Sequence, residues 1–216
     1  MQSFWRNLYA ICAAAVIISL ILGLDPVYMT AKALLMVILL LYFFSMSAGF
    51  PRWRWHVVLA LIFSWVGDVC LIFSDWFVQG LIAFLIAHLF YIIAYHQTGA
   101  ATGLLKAADI VKVSVYGVIL IAVIYPGLGQ MLVPVLLYAG VLLAMVLWAH
   151  KRRNATNRQS FTLVATGAVL FAISDGMIAI NKFAMAIPAE RILIMSVYIT
   201  AQFLIIQGLI KYMERT

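Results

Sequence analysis

Residues 57–73 have the sequence VVLALIFSWVGDVCLIF, an apolar run that contains a single charged residue, Asp68. A helix of about 17 to 25 apolar residues is long enough to cross the hydrocarbon layer of a membrane. An acidic side chain near the centre of such a helix costs about 2.5 to 3.5 kcal/mol, so carboxylates found there usually face a protein interior and serve a function. The run therefore predicts a transmembrane helix whose aspartate points away from lipid.

A second run repeats this arrangement, because residues 161–180 are also apolar and also carry one acidic residue, Asp175. Ser64 and Gly67 share a helical side with Asp68, and Gly167 and Ser174 fall on a comparable stripe with Asp175. Glycine lets a neighbouring helix approach closely. We expect the two stripes to face each other and the two carboxylates to share one polar interior.

The composition places the whole chain among polytopic membrane proteins. Of its 216 residues 67% are hydrophobic and 10% are charged, with a mean hydropathy of +1.12. Such runs are too long and continuous for barrel strands, so they predict helices. The fold class is therefore predicted as all-α, a single domain over residues 1–216 with eight transmembrane helices, at residues 8–24, 27–46, 57–73, 77–95, 111–125, 131–149, 161–180 and 192–212.

The basic residues predict the orientation of this bundle. Eight crossings would place both termini and three loops on one face, and cytoplasmic loops are rich in Lys and Arg. That face collects eleven basic residues, whereas the opposite face has only Lys182 and Arg191. The eleven are Arg6, Arg52, Arg54, Lys106, Lys112, Lys151, Arg152, Arg153, Arg158, Lys211 and Arg215. Both termini are thus predicted to be cytoplasmic. The basic run at 150–153 is predicted to contact anionic head groups. Because this orientation accounts for the net charge of +7, that charge does not indicate a nucleic-acid partner.

Further polar residues fall inside the predicted helices. Lys32 lies in the second, His88 and Tyr91 in the fourth, and Tyr198 and Gln202 in the eighth. With a rise of about 1.5 Å per residue, these side chains and both aspartates lie in the non-cytoplasmic half of the bundle. The sequence therefore predicts one polar site in that half.

Each of these residues also has a purely structural interpretation. Lys32 either snorkels to the interface or pairs with an aspartate or a phosphate. His88 is more often a packed, hydrogen-bonded histidine than a ligand, and no second intramembrane histidine accompanies it, so a metal site is not expected. Tyr198 and Gln202 fit interhelical hydrogen bonding as well as substrate contact.

The motifs, one to a helix, make the chain similar to a known family over nearly its whole length. It resembles the lysoplasmalogenase family, also called YhhN-like. One departure is Ala33, where the family commonly has proline after the lysine. The motifs are Lys32-Ala33-Leu34, Ser64-x-x-Gly67-Asp68-x-x-Leu71, Phe77-x-x-Gly80-x-x-x-Phe84-x-x-x-His88-x-x-Tyr91, Pro134-x-x-x-Tyr138, Gly167-Ala168-x-Leu170-Phe171-x-x-Ser174-Asp175 and Tyr198-x-x-Ala201-Gln202.

The resemblance implies hydrolysis of the vinyl ether bond of a lysoplasmalogen, which yields a fatty aldehyde and a glycerophospho head group. It implies a multi-pass protein, expected in a bacterial plasma membrane, with a lysophospholipid substrate, surrounding membrane lipids as partners and no cofactor. Asp68 and Asp175 are the predicted catalytic pair. The predicted substrate-binding residues are Lys32, Ser64, His88, Tyr91, Tyr138, Ser174, Tyr198 and Gln202.

Cleavage of a vinyl ether needs one acid and one base, and two nearby carboxyl groups in an apolar site can divide these roles. The sequence does not say which aspartate takes which role. Paired acids beside a lysine also fit a proton-coupled transporter, although the chain is small and lacks obvious broken helices. A zinc amidohydrolase would need several histidine ligands that the spans do not contain.

Overall fold

The computed structural model describes residues 2–46 and 52–214 and is helical throughout, with no strand among these residues. The α-helices are α1 (Gln2–Leu22), α2 (Asp25–Met46), α3 (Trp53–Cys70), α4 (Phe77–Tyr95), α5 (Ala107–Leu128), α6 (Leu132–Lys151), α7 (Arg158–Phe183) and α8 (Glu190–Met213). Short 3-10 turns at Ser74–Trp76 and Gly129–Met131 precede α4 and α6, and a π-helical turn at His96–Ala100 follows α4. The all-helical prediction is confirmed.

The helix bounds follow the apolar runs closely. α4 has the predicted bounds, and α5 begins at Ala107, before the predicted run, and continues through Pro126 to Leu128. The predicted run at residues 111–125 is shorter than one crossing needs, whereas the 22 residues of α5 are long enough. The chain divides into two compact units, Met1–Ala94 and Tyr95–Thr216.

The first unit contains α1 to α4, with α1 packed on α2 and α2 on α3. A side-chain hydrogen bond fixes α3 against α2, because the Trp65 indole Nε1 donates to the Ala33 carbonyl at 3.0 Å. Gly67 brings α3 against α4, since a methyl group at this position would lie 2.6 Å from the ring of Phe84. The residues next to Lys32 and Asp68 are thus held by contacts between helices.

The second unit contains α5 to α8, and α7 packs along α8 more extensively than any other helix pair. Two glycines permit this approach. A methyl group on Gly167 would lie 2.8 Å from the Ala201 carbonyl, and one on Gly208 would lie 2.6 Å from Val164. Close backbone packing of this kind is typical of helix association within membranes.

α5 and α6 form an antiparallel hairpin. Gly117 on α5 lies against Leu143 on α6, while Ile124 and Leu128 cluster with Val135. The chain therefore reverses at the turn Gly129–Met131. This turn is what separates two helices within a continuous helical segment of 45 residues, Ala107–Lys151.

Six helical segments in the described part of the chain are long and apolar enough to cross a membrane. They are α1, α2, α4 with its flanking turns, the α5–α6 segment, α7 and α8. α3 is not among them because Arg54, His56 and Asp68 lower the hydropathy of its 18 residues. These lengths and compositions indicate an integral membrane protein.

Two of the basic residues assigned to the head-group face are instead internal. Arg54 is only 1% exposed, and its guanidinium donates to the Phe44 carbonyl at 2.9 Å. Arg152 is fully buried and bonds to Thr98 and Ser160, so it does not contact lipid head groups as the sequence predicted. A guanidinium can bond several oxygens at once, as Arg152 does here. Arg215 lies outside the described residues.

Candidate functional site

The first unit holds Asp68 in a buried ion pair. The Lys32 Nζ lies 3.8 Å from the Asp68 Oδ1, and the two side chains are 6% and 4% exposed. Lys32 is therefore the counter-ion of Asp68, and the snorkelling alternative is wrong. Burial of two charges is favourable only when they compensate each other, so α2 and α3 depend on this contact.

Two tyrosines of the first unit accompany this pair, although the sequence gave them no role. The Lys32 Nζ lies 5.9 Å from the ring centre of Tyr28, one helical turn earlier on α2, a distance at which a cation and an aromatic ring attract. Tyr9 on α1 is buried and lies within electrostatic range of the Asp68 carboxylate. The spacing of Tyr28 from Lys32 was a usable sequence signal, whereas nothing in the sequence connected Tyr9 to Asp68.

The other predicted residues of this unit lie on α3 and α4. Ser64 is fully buried one turn before Asp68. His88 is also fully buried and stacks on Phe84, with ring centres 6.5 Å apart, and Phe84 is the ring that packs against Gly67. Tyr91 follows on the same buried side of α4. This part of the site is polar and shielded from the bilayer.

The second unit holds Asp175 by a hydrogen bond across two helices. The Tyr138 hydroxyl on α6 donates to the Asp175 Oδ2 on α7, and both residues are at least 90% buried. The two residues are 37 positions apart in the chain. A phenol is neutral, so Tyr138 differs in charge from the lysine beside Asp68.

The remaining predicted residues of the second unit join α7 to α8. The Ser174 hydroxyl on α7 donates a hydrogen bond to the Ile194 carbonyl on α8 at 3.2 Å. The Gln202 Nε2 donates to the Tyr198 hydroxyl at 3.3 Å, and the ring of Tyr198 meets Phe171 edge-on with centres 5.4 Å apart. The hydrogen bond between Gln202 and Tyr198 lies within α8, so among these contacts the Ser174–Ile194 bond and the Tyr198–Phe171 ring contact are the ones that join α7 to α8.

The sequence did not predict a role for Tyr116, which lies near Asp175. The Tyr116 hydroxyl on α5 donates to the Ala172 carbonyl on α7 at 2.7 Å. It also lies directly against Gly176, the residue after Asp175, where a side chain would collide with it. Each unit thus holds one of the two predicted catalytic aspartates, which is buried with tyrosine side chains nearby. Among the described residues no cluster of three or more His, Cys, Asp or Glu side chains could hold a metal ion.

Comparison with known proteins gives a consistent result. The YhhN family profile matches residues 27–209, which include every predicted site residue. This chain belongs to the YhhN family. No solved structure matches it.

Curated relatives of the chain carry one name. The chain is 35% identical to mouse lysoplasmalogenase TMEM86B over 73% of its own length and 64% of that protein, and 30% identical to bovine lysoplasmalogenase TMEM86A over 88% and 82%. It is 37% identical to a lysoplasmalogenase of Mycobacterium bovis over 72% of the chain and 60% of that protein. The chain thus spans less than two thirds of the length of mouse TMEM86B and of the mycobacterial protein.

Proposed function

We propose that this protein is a membrane-embedded hydrolase that cleaves the vinyl ether bond of a lysoplasmalogen or a closely related lysolipid. The single observation that carries the proposal is a buried carboxylate with a polar partner in each unit, Asp68 with Lys32 and Asp175 with Tyr138. The names of the family relatives support the same activity. They give no support to the transporter that the sequence also allowed.

The proposed membrane arrangement has eight crossings in a single domain, with both termini in the cytoplasm of a bacterial cell and the protein in its plasma membrane. The charge distribution in the sequence supports this orientation. The α5–α6 hairpin supports two crossings for the 45-residue segment, which is about twice the length that one crossing needs.

The proposed reaction begins with proton transfer from a carboxyl group to the β-carbon of the vinyl ether. The α-carbon becomes an oxocarbenium ion, and water adds to it while the second carboxylate accepts a proton from that water. The resulting hemiacetal breaks its bond to the glycerol oxygen, which takes a proton, and a fatty aldehyde leaves. The products are the aldehyde and the glycerophospho head group.

The partners of the two aspartates suggest how the roles divide. Asp68 lies beside the Lys32 ammonium, so we assign it the negative charge that stabilises the cation and accepts the proton of water. Asp175 has a neutral phenol as its partner, so we assign it the delivery of the first proton. The remaining predicted residues, Ser64, His88, Tyr91, Ser174, Tyr198 and Gln202, are proposed to position water and the glycerol part of the substrate.

Aldehyde release by purified Asp68→Asn and Asp175→Asn variants tests this assignment. Loss of an acid or base should lower turnover by about 10² to 10⁴-fold. If both groups act on one substrate, the double variant should be about as slow as either single variant, since groups that act as a unit are strongly non-additive.

The matched control is Asp75→Asn, which changes an exposed carboxylate in the turn before α4. It should retain full turnover. Normal turnover in either site variant would remove that aspartate from the mechanism. Aldehyde formation in detergent, where no gradient exists, also separates a hydrolase from a transporter.

A further inference from the structure

The second unit contains a crevice that the catalytic assignment does not use. It has a volume of about 230 Å³ and lies between α5, α6 and α7. Its walls are apolar, formed by Val113, Leu143, Val146, Val169 and Ile173. This volume is below the range of about 300 to 1,000 Å³ typical of sites that enclose a whole drug-sized ligand. It suits a short piece of a single flexible chain.

One end of the crevice is polar. Asp109 and Lys112 belong to the first turns of α5, and His150 belongs to the last turn of α6, so all three lie at the same end of the hairpin. Asp109 is neutralised by Arg153, whose guanidinium donates to its carboxylate at 2.7 Å. Lys112 is exposed and leaves a net positive charge at this rim. Helix ends are where a membrane protein meets the head groups, and a phosphate fits this charge.

The other end of the crevice is formed by Tyr116, which lies close to Asp175 in the chain fold. Tyr116 lines the crevice about 10 Å along α5 from Asp109 at the usual helical rise. Its hydroxyl is bonded to Ala172 and lies against Gly176, the residue next to Asp175. The crevice thus runs from a cationic rim to the neighbourhood of a buried carboxylate. Lys112 and Tyr116 are one helical turn apart, about 6 Å along α5, which is comparable to the length of the glycerol backbone that separates the phosphate from the vinyl ether in a lysoplasmalogen.

We propose that this crevice is the site where a single-chain phospholipid binds on its way to Asp175, with Lys112 binding its phosphate and Tyr116 forming the inner wall at its ether linkage. The glycerol and the start of the chain occupy the crevice, and the rest of the chain stays in the bilayer. The inference rests on the proposed function. It adds the path by which the substrate reaches Asp175 and the residue, Lys112, that binds its phosphate. We expect a two-chain phospholipid to bind less well, because a volume of about 230 Å³ has room for the start of one chain.

The test uses the full-length protein in detergent and a lysolipid that cannot be cleaved. The probe is a saturated 1-O-alkyl lysophosphocholine with a photoreactive diazirine near the glycerol end of its chain. We expect cross-links to α5, α6 and α7 around residues 113–116, 143–146 and 169–173. Cross-links to other helices would overturn the proposal.

Variants identify the two parts of the site. Lys112→Gln should lower labelling about three- to tenfold, as expected for loss of one partly exposed charge contact. It should leave unchanged the labelling by a 1-O-alkylglycerol that lacks the phosphate. Val113→Trp fills the crevice and should abolish labelling by both probes. Val118→Trp, the same change on the same helix at a side chain that is 69% exposed, is the matched control and should label normally.

Two results would contradict the proposal directly: normal labelling of Lys112→Gln by the phosphate probe, or equal competition by two-chain phosphatidylglycerol. Because the probe is not hydrolysed, its binding does not depend on the catalytic assignment. Labelling of the crevice without aldehyde release from a true lysoplasmalogen would overturn the proposed hydrolase alone. Aldehyde release with labelling elsewhere would overturn the crevice alone.

Discussion

At the scale of single residues, the ion pair between Lys32 and Asp68 determines which substitutions at these two positions the fold tolerates. Both side chains are almost fully buried, with 3.8 Å between Nζ and Oδ1. Removal of one partner from a buried pair leaves an uncompensated charge, whereas replacement of both by apolar residues is often tolerated. The pair is therefore a constraint on stability as well as a part of the proposed chemistry.

Lys32→Met should destabilise the protein by about 3 to 5 kcal/mol, the usual cost of an orphaned buried charge. The double variant Lys32→Met with Asp68→Leu should recover most of this loss. Chemical unfolding of the purified variants measures both effects. Lys106→Met, which changes an exposed lysine before α5, should have no effect. Equal stability of Lys32→Met and the wild type would mean that the pair does not form.

At the scale of helices, Arg152 joins three elements of the second unit. Its Nε donates to the Thr98 carbonyl in the π-helical turn, and its terminal nitrogen donates to the Ser160 hydroxyl on α7, both at 3.0 Å. Ser160 passes the contact on by donating to the Gly208 carbonyl on α8 at 2.6 Å. Burial lowers the pKa of Arg152 to about 10, with Tyr95 and Tyr212 opposing that shift.

The sign of this shift fixes its effect on stability. Because the pKa of Arg152 is lower in the folded state, the unfolded chain binds more protons between about pH 10 and the ordinary pKa of arginine. The contribution of this group to the free energy of unfolding therefore increases with pH in that window only. Near neutral pH the guanidinium is charged in both states. Its titration therefore contributes no pH dependence there.

Arg152→Lys should keep the charge but lose part of the junction, because an ammonium cannot reproduce the fixed fork of a guanidinium. Each hydrogen bond from a charged donor contributes about 1.5 to 3 kcal/mol, so we expect a loss of about that size for the one that lysine cannot make. Unfolding measurements at neutral pH would show it. Arg158→Lys, at the exposed first position of α7, is the control and should unfold like the wild type. Equal stability of Arg152→Lys would show that the charge alone is sufficient.

At the scale of the whole molecule, the proposed topology makes a directional prediction. A cysteine placed at Asn154, between α6 and α7, should react with a membrane-impermeant reagent only after cells are opened. A cysteine at Met185, which lies after α7 and is 63% exposed, should react in intact cells. Cys12 and Cys70 are buried and should give little background. Reaction of both sites from the same side would contradict a crossing by α7.

The sequence was sufficient to predict the positions of the helices, because each helix follows from a continuous apolar run of its own residues. Apolar runs of the right length locate α4 to the residue and place α7 and α8 within a few positions. It was also sufficient to select Asp68 and Asp175, since a carboxylate in an apolar run is unusual by itself. Both aspartates are buried, as the helical stripes predicted.

The partners of these residues could not be predicted in the same way. Tyr138 contacts Asp175 from 37 positions away, and Arg152 contacts Thr98 from 54 positions away. A basic residue just after an apolar helix has the same local pattern whether it meets lipid head groups or folds inward. Only the packing of the π-helical turn, α7 and α8 around Arg152 decides between them, and no local pattern encodes that packing.

The short connection between α5 and α6 has a consequence for biosynthesis. Only the three residues Gly129–Met131 join the two helices. The connection is therefore too short to form a separate soluble loop while α6 is being synthesised. We therefore expect the two helices to enter the bilayer together as a preformed hairpin. A chain truncated near residue 130 would leave α5 without α6 to pack against, and we expect it to insert less efficiently than the full hairpin.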